Sequence, residues 1–307
     1  SCFHENVPIR CTQNPTMGEE WRRGWHPEYI QAKESEDSIL VVGGGPAGLE
    51  AARALGQRGY EVTLAEASDE LGGRLLRECQ LPGLSTWIRV RDWRVDQINR
   101  LPNVEVYLES RLNGDHILEF GFPHVVLATG AIWTTALTDR RGAPFMATTE
   151  GTLLTPDDIF RGIKPTGAVL IYDYDHYYIA GCLAERLAVE GIDVIYVTPA
   201  DRVSDWSENT HEQWFAQKRL LELGCEILTG YYIPFFDGEV VRAECKYTGQ
   251  LNEIRVENML VVGTRTPNLE LFEQLVLRDK ELKEAGVSTL TRIGDCDTPG
   301  AVVHAVF

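Results

Sequence analysis

Three glycines, Gly43, Gly45 and Gly48, stand at the spacing with which a backbone wraps a diphosphate, and an acid, Glu66, follows about twenty residues later. Gly43 permits a tight turn. Gly45 removes a side chain where a pyrophosphate must approach the main chain, and Gly48 lets a helix lie close on a strand. The carboxylate of Glu66 suits an adenine-ribose hydroxyl and disfavours a 2′-phosphate.

The elements that must hold these residues are legible around them. An apolar β-run, Ile39 to Val42, enters the glycine turn, the helix-forming LEAARALGQRG leaves it, and a second β-run, YEVTLAE, ends on Glu66. A helix that starts at such a turn offers amide donors and positive potential to the anion.

Three later segments extend the pattern. Leu71-Gly72-Gly73-Arg74 follows the acidic strand, HVVLATGA closes a β-run at Thr129-Gly130, and TRIGDCDTPGAVVHAV carries Gly294-Asp295. In this order the series resembles the flavoprotein disulfide reductase superfamily. The resemblance implies an α/β chain with two Rossmann-like dinucleotide folds, the second inserted into the first. It also implies that Arg74, Thr129, Gly130 and Asp295 join Gly43, Gly45, Gly48 and Glu66 around the cofactor, Gly294-Asp295 at its ribityl or diphosphate portion.

The second fold is GAVLIYDYDHYYIAGCLAERLAVEGIDVIYVT, with the same strand, turn, helix and strand rhythm. Asp173, Asp175 and Tyr178 stand where the three glycines would be. Bulk keeps a pyrophosphate off the backbone there, and two carboxylates repel it. The strand DVIYVT ends without the acid expected for NAD or the arginine expected for NADP. This domain reads as a scaffold that has lost nicotinamide binding, with Tyr172, Tyr174, Tyr177 and Tyr178 filling the vacated space.

Composition bounds the partners. A formal net charge of -17 argues against nucleic acid and against an anionic membrane surface. No apolar run is long enough to span a bilayer, and no signal peptide begins the chain. Seven scattered cysteines fit a reducing cytoplasm better than a disulfide scaffold. The expected organisation is an arm over 1–36, an ADP- or FAD-binding domain over 37–152 plus 271–307, and the degenerate NAD(P)-type domain over 153–270. That domain includes a helix THEQWFAQKRLLELG and an antiparallel sheet through YYIPFF, GEVVRAECKY and NEIRVENMLVVG. Both ends read as cut, so a fragment is expected.

The arm narrows the resemblance. CTQNPTMGEEWRRGWHPE, from Cys11 to Glu28, is similar to the segment joining the barrel to the flavoprotein-like half in the trimethylamine dehydrogenase family, which includes dimethylamine and histamine dehydrogenases and related N-demethylases of old-yellow-enzyme type. Leu81-Pro82-Gly83 with Trp87, and Ala128 to Ala131 with Trp133, extend the likeness. It implies a larger homodimeric oxidoreductase, with an FMN-bearing TIM barrel domain or subunit, a [4Fe-4S] cluster at the boundary, ADP or FAD in the first dinucleotide fold, and electrons leaving to an electron-transferring flavoprotein. Cys11 matches the last cluster ligand of that pattern and Cys2 its predecessor.

The resemblance puts the amine-orienting residues on the barrel, so no catalytic residue is assigned here. Arg22, Arg23, Trp25 and His26 read as structural, and Cys296, without a CxxC partner, as a packed thiol. Two competing functions remain: a dienoyl-CoA reductase type in which NAD(P)H enters at the second fold, and a non-enzymatic ADP-binding interaction module.

Overall fold

The computed structural model describes residues 11–14, 16–18, 29–136, 146–147 and 152–306. Cys2 and the arm residues Arg22, Arg23, Trp25 and His26 lie outside them. The chain forms two compact units. One comprises the described residues up to Gln80, then Leu84–Ala131 and Pro267 onward; the other is Leu81–Gly83 with Ile132–Thr266.

The first unit is built on five parallel strands in the order Thr289–Arg292, His124–Leu127, Ile39–Val42, Val62–Ala65, Val104–Tyr107. Ile39–Val42 is buried along its whole length, as a central parallel strand covered on both faces must be. One face packs Leu49, Ala52, Leu64 and Ile98. The other packs Ile117, Leu127, Leu275 and Cys296. The edge strand Thr289–Arg292 pairs with His124–Leu127 although the whole inserted unit separates them in sequence, which is what an insertion into a continuous sheet requires.

Strand order reverses between Ile39–Val42 and His124–Leu127, and open parallel sheets bind ligands at the carboxyl ends of strands flanking such a reversal. Helix Pro46–Arg58 begins there, with Pro46 in its first turn and Gly59 in the left-handed conformation closing its end.

The inserted unit has its own five-stranded parallel sheet, ordered Glu226–Thr229, Val194–Thr198, Val169–Asp173, Asn258–Val262, Thr152–Leu154. Beside it Tyr231–Phe236, Val240–Cys245 and Leu251–Arg255 form antiparallel pairs. The run NEIRVENMLVVG therefore divides. Leu251–Arg255 alternates and joins the antiparallel sheet, whereas Asn258–Val262 is buried at every position and becomes an interior parallel strand. The helix read from THEQWFAQKRLLELG is shorter than expected: Asp205–Thr210 is a 3-10 turn, His211 takes a left-handed conformation, and the α-helix is Gln213–Glu222. Among the described residues no helix is long and apolar enough to cross a membrane.

Candidate functional site

The glycine turn of the first unit is shaped by contacts that admit no side chain. Gly43 has φ +107°, a region that disfavours any residue with a Cβ, and a Cβ there would collide with the Ala128 carbonyl oxygen. A Cβ on Gly48 would collide with the Gly43 carbonyl, so the helix leaves the turn in direct backbone contact with it. Gly45 differs from both. A Cβ there would meet no heavy atom within 4 Å. Its smallness is unused by the fold and leaves room against the first turn of Pro46–Arg58, where no side chain caps the helix and no acid stands. First-turn amides have no partner inside a helix and carry the positive end of its dipole, so the residues present fit a diphosphate.

Glu66 ends the neighbouring strand and turns its carboxylate onto this loop. Oε2 accepts the Gly44 amide at 2.6 Å, and Oε1 accepts from the amide and hydroxyl of Ser68 at 2.8 and 2.7 Å. The expected ribose acceptor is thus also a brace of the phosphate turn. A carboxylate offers about four acceptor positions, so these bonds leave acceptor capacity for a ribose.

The Gly72-Gly73 loop docks on the turn from the other side. The Gly72 amide donates to the Gly44 carbonyl at 2.8 Å, and a Cβ on Gly73 would lie 3.1 Å from Gly45 Cα. Arg74, next in line, donates to the Ala131 carbonyl and lies 3.7 Å from Glu78. Thr129 Oγ1 lies 2.8 Å from the Asn268 carbonyl and 3.0 Å from Cys296 Sγ, and Gly130, with φ +75°, accepts the Asn268 amide at 2.8 Å. Gly294 packs so tightly on Ala47 that no side chain fits, and Asp295 Oδ1 accepts the Gly300 amide at 2.9 Å.

The predicted residues of the first fold therefore gather around one turn, and Gly44, Ser68, Gly72, Gly73 and Asn268 join them. Gly44 lies inside the glycine motif, yet its amide carries no sequence signal because every residue type except proline has one. Asn268 is separated from Thr129 by the whole inserted unit, and only the fold brings the two together.

Cys11 is half-buried and lies near Arg94 of helix Ile88–Asn99. There Gln13 donates to the Arg89 carbonyl at 3.1 Å, and its own carbonyl accepts from Arg94. Arg94 is fully buried and pairs with Glu50 at 2.7 Å, while Arg53 takes the other oxygen of the same carboxylate. Burial lowers the Arg94 pKa; Glu50 opposes that shift most and Cys11 adds to the opposition. Among the described residues no three His, Cys, Asp or Glu side chains gather as a metal site. A [4Fe-4S] cluster takes four thiolates, so the described residues alone do not fit one.

The second turn is filled from within. Asp173 is completely buried at the end of its strand. Its Oδ1 accepts the His176 amide at 2.8 Å, and Oδ2 accepts the Tyr196 hydroxyl at 2.5 Å. The Tyr196 oxygen in turn accepts the Ser204 amide at 3.3 Å, while Trp206 donates its amide to the His176 carbonyl at 2.9 Å. His176 itself has φ +61°. Asp173 thus takes an amide of the turn, and the loop after Val194–Thr198 is laced to the turn. Burial raises the Asp173 pKa to about 7 against the pull of these donors, and raises Asp175 to about 6 against the attraction of Arg265. Tyr172 is 2 % exposed and packs with Val197 and Met259, so it is core; Tyr177 and Tyr178 lie ring to ring at 4.4 Å.

One unit has an open glycine cradle and the other a filled turn, and together they define a chain of two Rossmann-like α/β units. A thioredoxin reductase from T. acidophilum, 13 % identical over 88 % of this chain and 94 % of its own with TM-score 0.55, and the flavoprotein disulfide reductase RclA of Escherichia coli, at 15 % and 0.51 over 88 % and 68 %, share the fold alone. A family model described as NAD(P)-binding Rossmann-like domain matches residues 41–94, and one described as OYE-like second alpha/beta domain matches 154–245.

Closer likeness runs the length of the chain. Dimethylamine dehydrogenase of Hyphomicrobium sp. (strain x) is 35 % identical over 98 % of this chain and 44 % of its own. The NADH oxidase of Thermoanaerobacter brockii is 36 % identical over 98 % and 44 %. The solved histamine dehydrogenase from Rhizobium sp. 4-9 is 44 % identical over 97 % and 46 %, with TM-score 0.93. The chain is homologous over nearly its whole length to dimethylamine and histamine dehydrogenases. It spans less than half the length of these relatives.

Proposed function

We propose that this chain is the nucleotide-binding, electron-transfer-side portion of an amine dehydrogenase or N-demethylase, with the ADP moiety of ADP or FAD held in its first unit and no nicotinamide cofactor in its second. The observation that carries this reading is the contrast between the two turns: open space at Gly45 in one, the Asp173 carboxylate on the His176 amide in the other. In the first unit Gly43, Gly45 and Gly48 present the backbone to the diphosphate, Glu66 takes a ribose hydroxyl, and Arg74, Thr129, Gly130 and Asp295 border the rest of the cofactor. The nucleotide is a fixed component when it is ADP; as FAD it supplies a redox-active ring.

Within the larger enzyme of this reading, an FMN-bearing barrel oxidises the amine. Cys11 and Cys2 contribute thiolates to a [4Fe-4S] cluster completed by further residues, and electrons leave to an electron-transferring flavoprotein. A homodimer and a cytoplasmic location belong to the same proposal. Denaturing the purified protein and identifying the released nucleotide by chromatography and absorbance tests it. ADP without FAD supports a structural nucleotide, FAD puts the first unit on an electron path, and no nucleotide at all refutes the reading.

The relationship to an NADH oxidase favours a second reading, an NAD(P)H-dependent flavoprotein reductase of dienoyl-CoA type. Anaerobic addition of NADH or NADPH separates the two. The first reading expects no bleaching of the flavin, and bleaching within catalytic times establishes the second.

A further inference from the structure

We infer that Arg91 is a positioning residue for the diphosphate site: it holds the Gly72-Gly73 loop against the glycine turn from a point outside both. The inference rests on the nucleotide reading of the first unit. Arg91 stands on helix Ile88–Asn99, and its Nε donates to the Leu71 carbonyl at 2.9 Å. The same peptide group, through the Gly72 amide at its other end, donates to the Gly44 carbonyl at 2.8 Å, and the Gly44 amide donates to Glu66 Oε2 at 2.6 Å. The side chain that would take the ribose, the turn that would take the diphosphate and the di-glycine loop are thus tied in series, with Arg91 at the end of the line.

The loop needs such a tie. Gly72 has φ +132° and Gly73 φ +56°, so two adjacent residues with the widest backbone freedom must be fixed beside Gly45, whose surroundings are otherwise open. The stem of Arg91 supplies a wall as well as a donor, because a Cβ on Gly72 would lie 3.1 Å from Arg91 Cγ. The remaining guanidinium nitrogens reach Glu70 and Asp92, each at 2.9 Å. These carboxylates are half-exposed, whereas the Arg91 side chain is 22 % exposed, so the outer pairs aim the guanidinium and the inner bond does the positioning.

The test compares the protein with Arg91→Met, which keeps the stem and removes every donor, Arg91→Lys, which keeps a charged donor, and Glu70→Gln, which weakens only an outer pair. Each is depleted of nucleotide and titrated calorimetrically with ADP and with adenosine. Arg91→Met is expected to weaken ADP about tenfold, equivalent to about 1.4 kcal/mol, and to leave adenosine unchanged, because adenosine reaches Glu66 without using the phosphate turn. Arg91→Lys is expected to recover part of the loss and Glu70→Gln to bind ADP like the unaltered protein. Equal loss of ADP and adenosine, ADP affinity unchanged in Arg91→Met, or Glu70→Gln as weak as Arg91→Met overturns the inference while leaving the nucleotide reading intact. Failure of the unaltered protein to bind ADP overturns both.

Discussion

At the scale of single residues, the three motif glycines serve different masters, and substitution separates them. Gly45→Ala meets no heavy atom, so the melting temperature should stay within a few degrees while bound nucleotide falls at least about tenfold, the new methyl standing where the diphosphate approaches. Gly48→Ala drives a methyl into the Gly43 carbonyl and should lose nucleotide and about 1–3 kcal/mol of stability together. Thermal melts beside nucleotide content decide both. A second residue-scale prediction concerns Asp173, whose pKa rises from the ordinary 3.8 to about 7 on burial. The native state then holds this proton more tightly than the unfolded chain, so Asp173 lends stability at acid pH that is lost as pH climbs from 3.8 to about 7. Asp175, raised to about 6, adds a slope of the same sign over the lower part of that window. Asp173→Asn should flatten the pH dependence of urea unfolding between pH 4 and 7, leaving the Asp175 part; an unchanged slope refutes the assignment.

At the scale of elements, the strand, glycine turn, helix and acid-ended strand were legible because each rests on local chemistry: β-propensity, a left-handed glycine, an uncapped helix start. What escaped depends on partners distant in sequence. Nothing within VENMLVVG says that it pairs with Val169–Asp173; only burial of both its faces makes it an interior parallel strand. The helix start at Gln213 rather than Thr210 follows from the left-handed turn at His211, a residue type that adopts it only occasionally. The gathered glycines and Glu66 could be named in advance, but the bonds through Gly44, Asn268 and Arg91 join backbone groups or distant segments and carry no motif. Helix Pro46–Arg58 is locked to Ile88–Asn99 by one carboxylate shared between two guanidiniums, and this arrangement is asymmetric. Removing Arg94 leaves Glu50 its Arg53 partner; removing Glu50 strands two cations, one of them fully buried. Glu50→Ala should therefore cost about 3–5 kcal/mol in denaturant unfolding, and Arg94→Met distinctly less.

At the scale of the whole molecule, the chain continues one parallel sheet across an insertion that has a sheet of its own, and its homology to amine dehydrogenases runs through both units. If Cys11 ligates a cluster in the larger enzyme, Cys11→Ser should sharply lower iron bound per polypeptide while nucleotide content holds; iron unchanged removes Cys11 from the ligand set. The filled turn of the inserted unit has a consequence for metabolism. Asp173 is covalently tethered to the amide it occupies, so a rival phosphate competes against an intramolecular ligand whose effective concentration lies in at least the millimolar range, and against its own repulsion from buried carboxylates. Under the proposed function, a chain built this way would be insulated from the cell's pyridine-nucleotide pool: its electron content would follow the supply of its organic substrate and the oxidation state of its acceptor, not the redox balance of NAD(P)H.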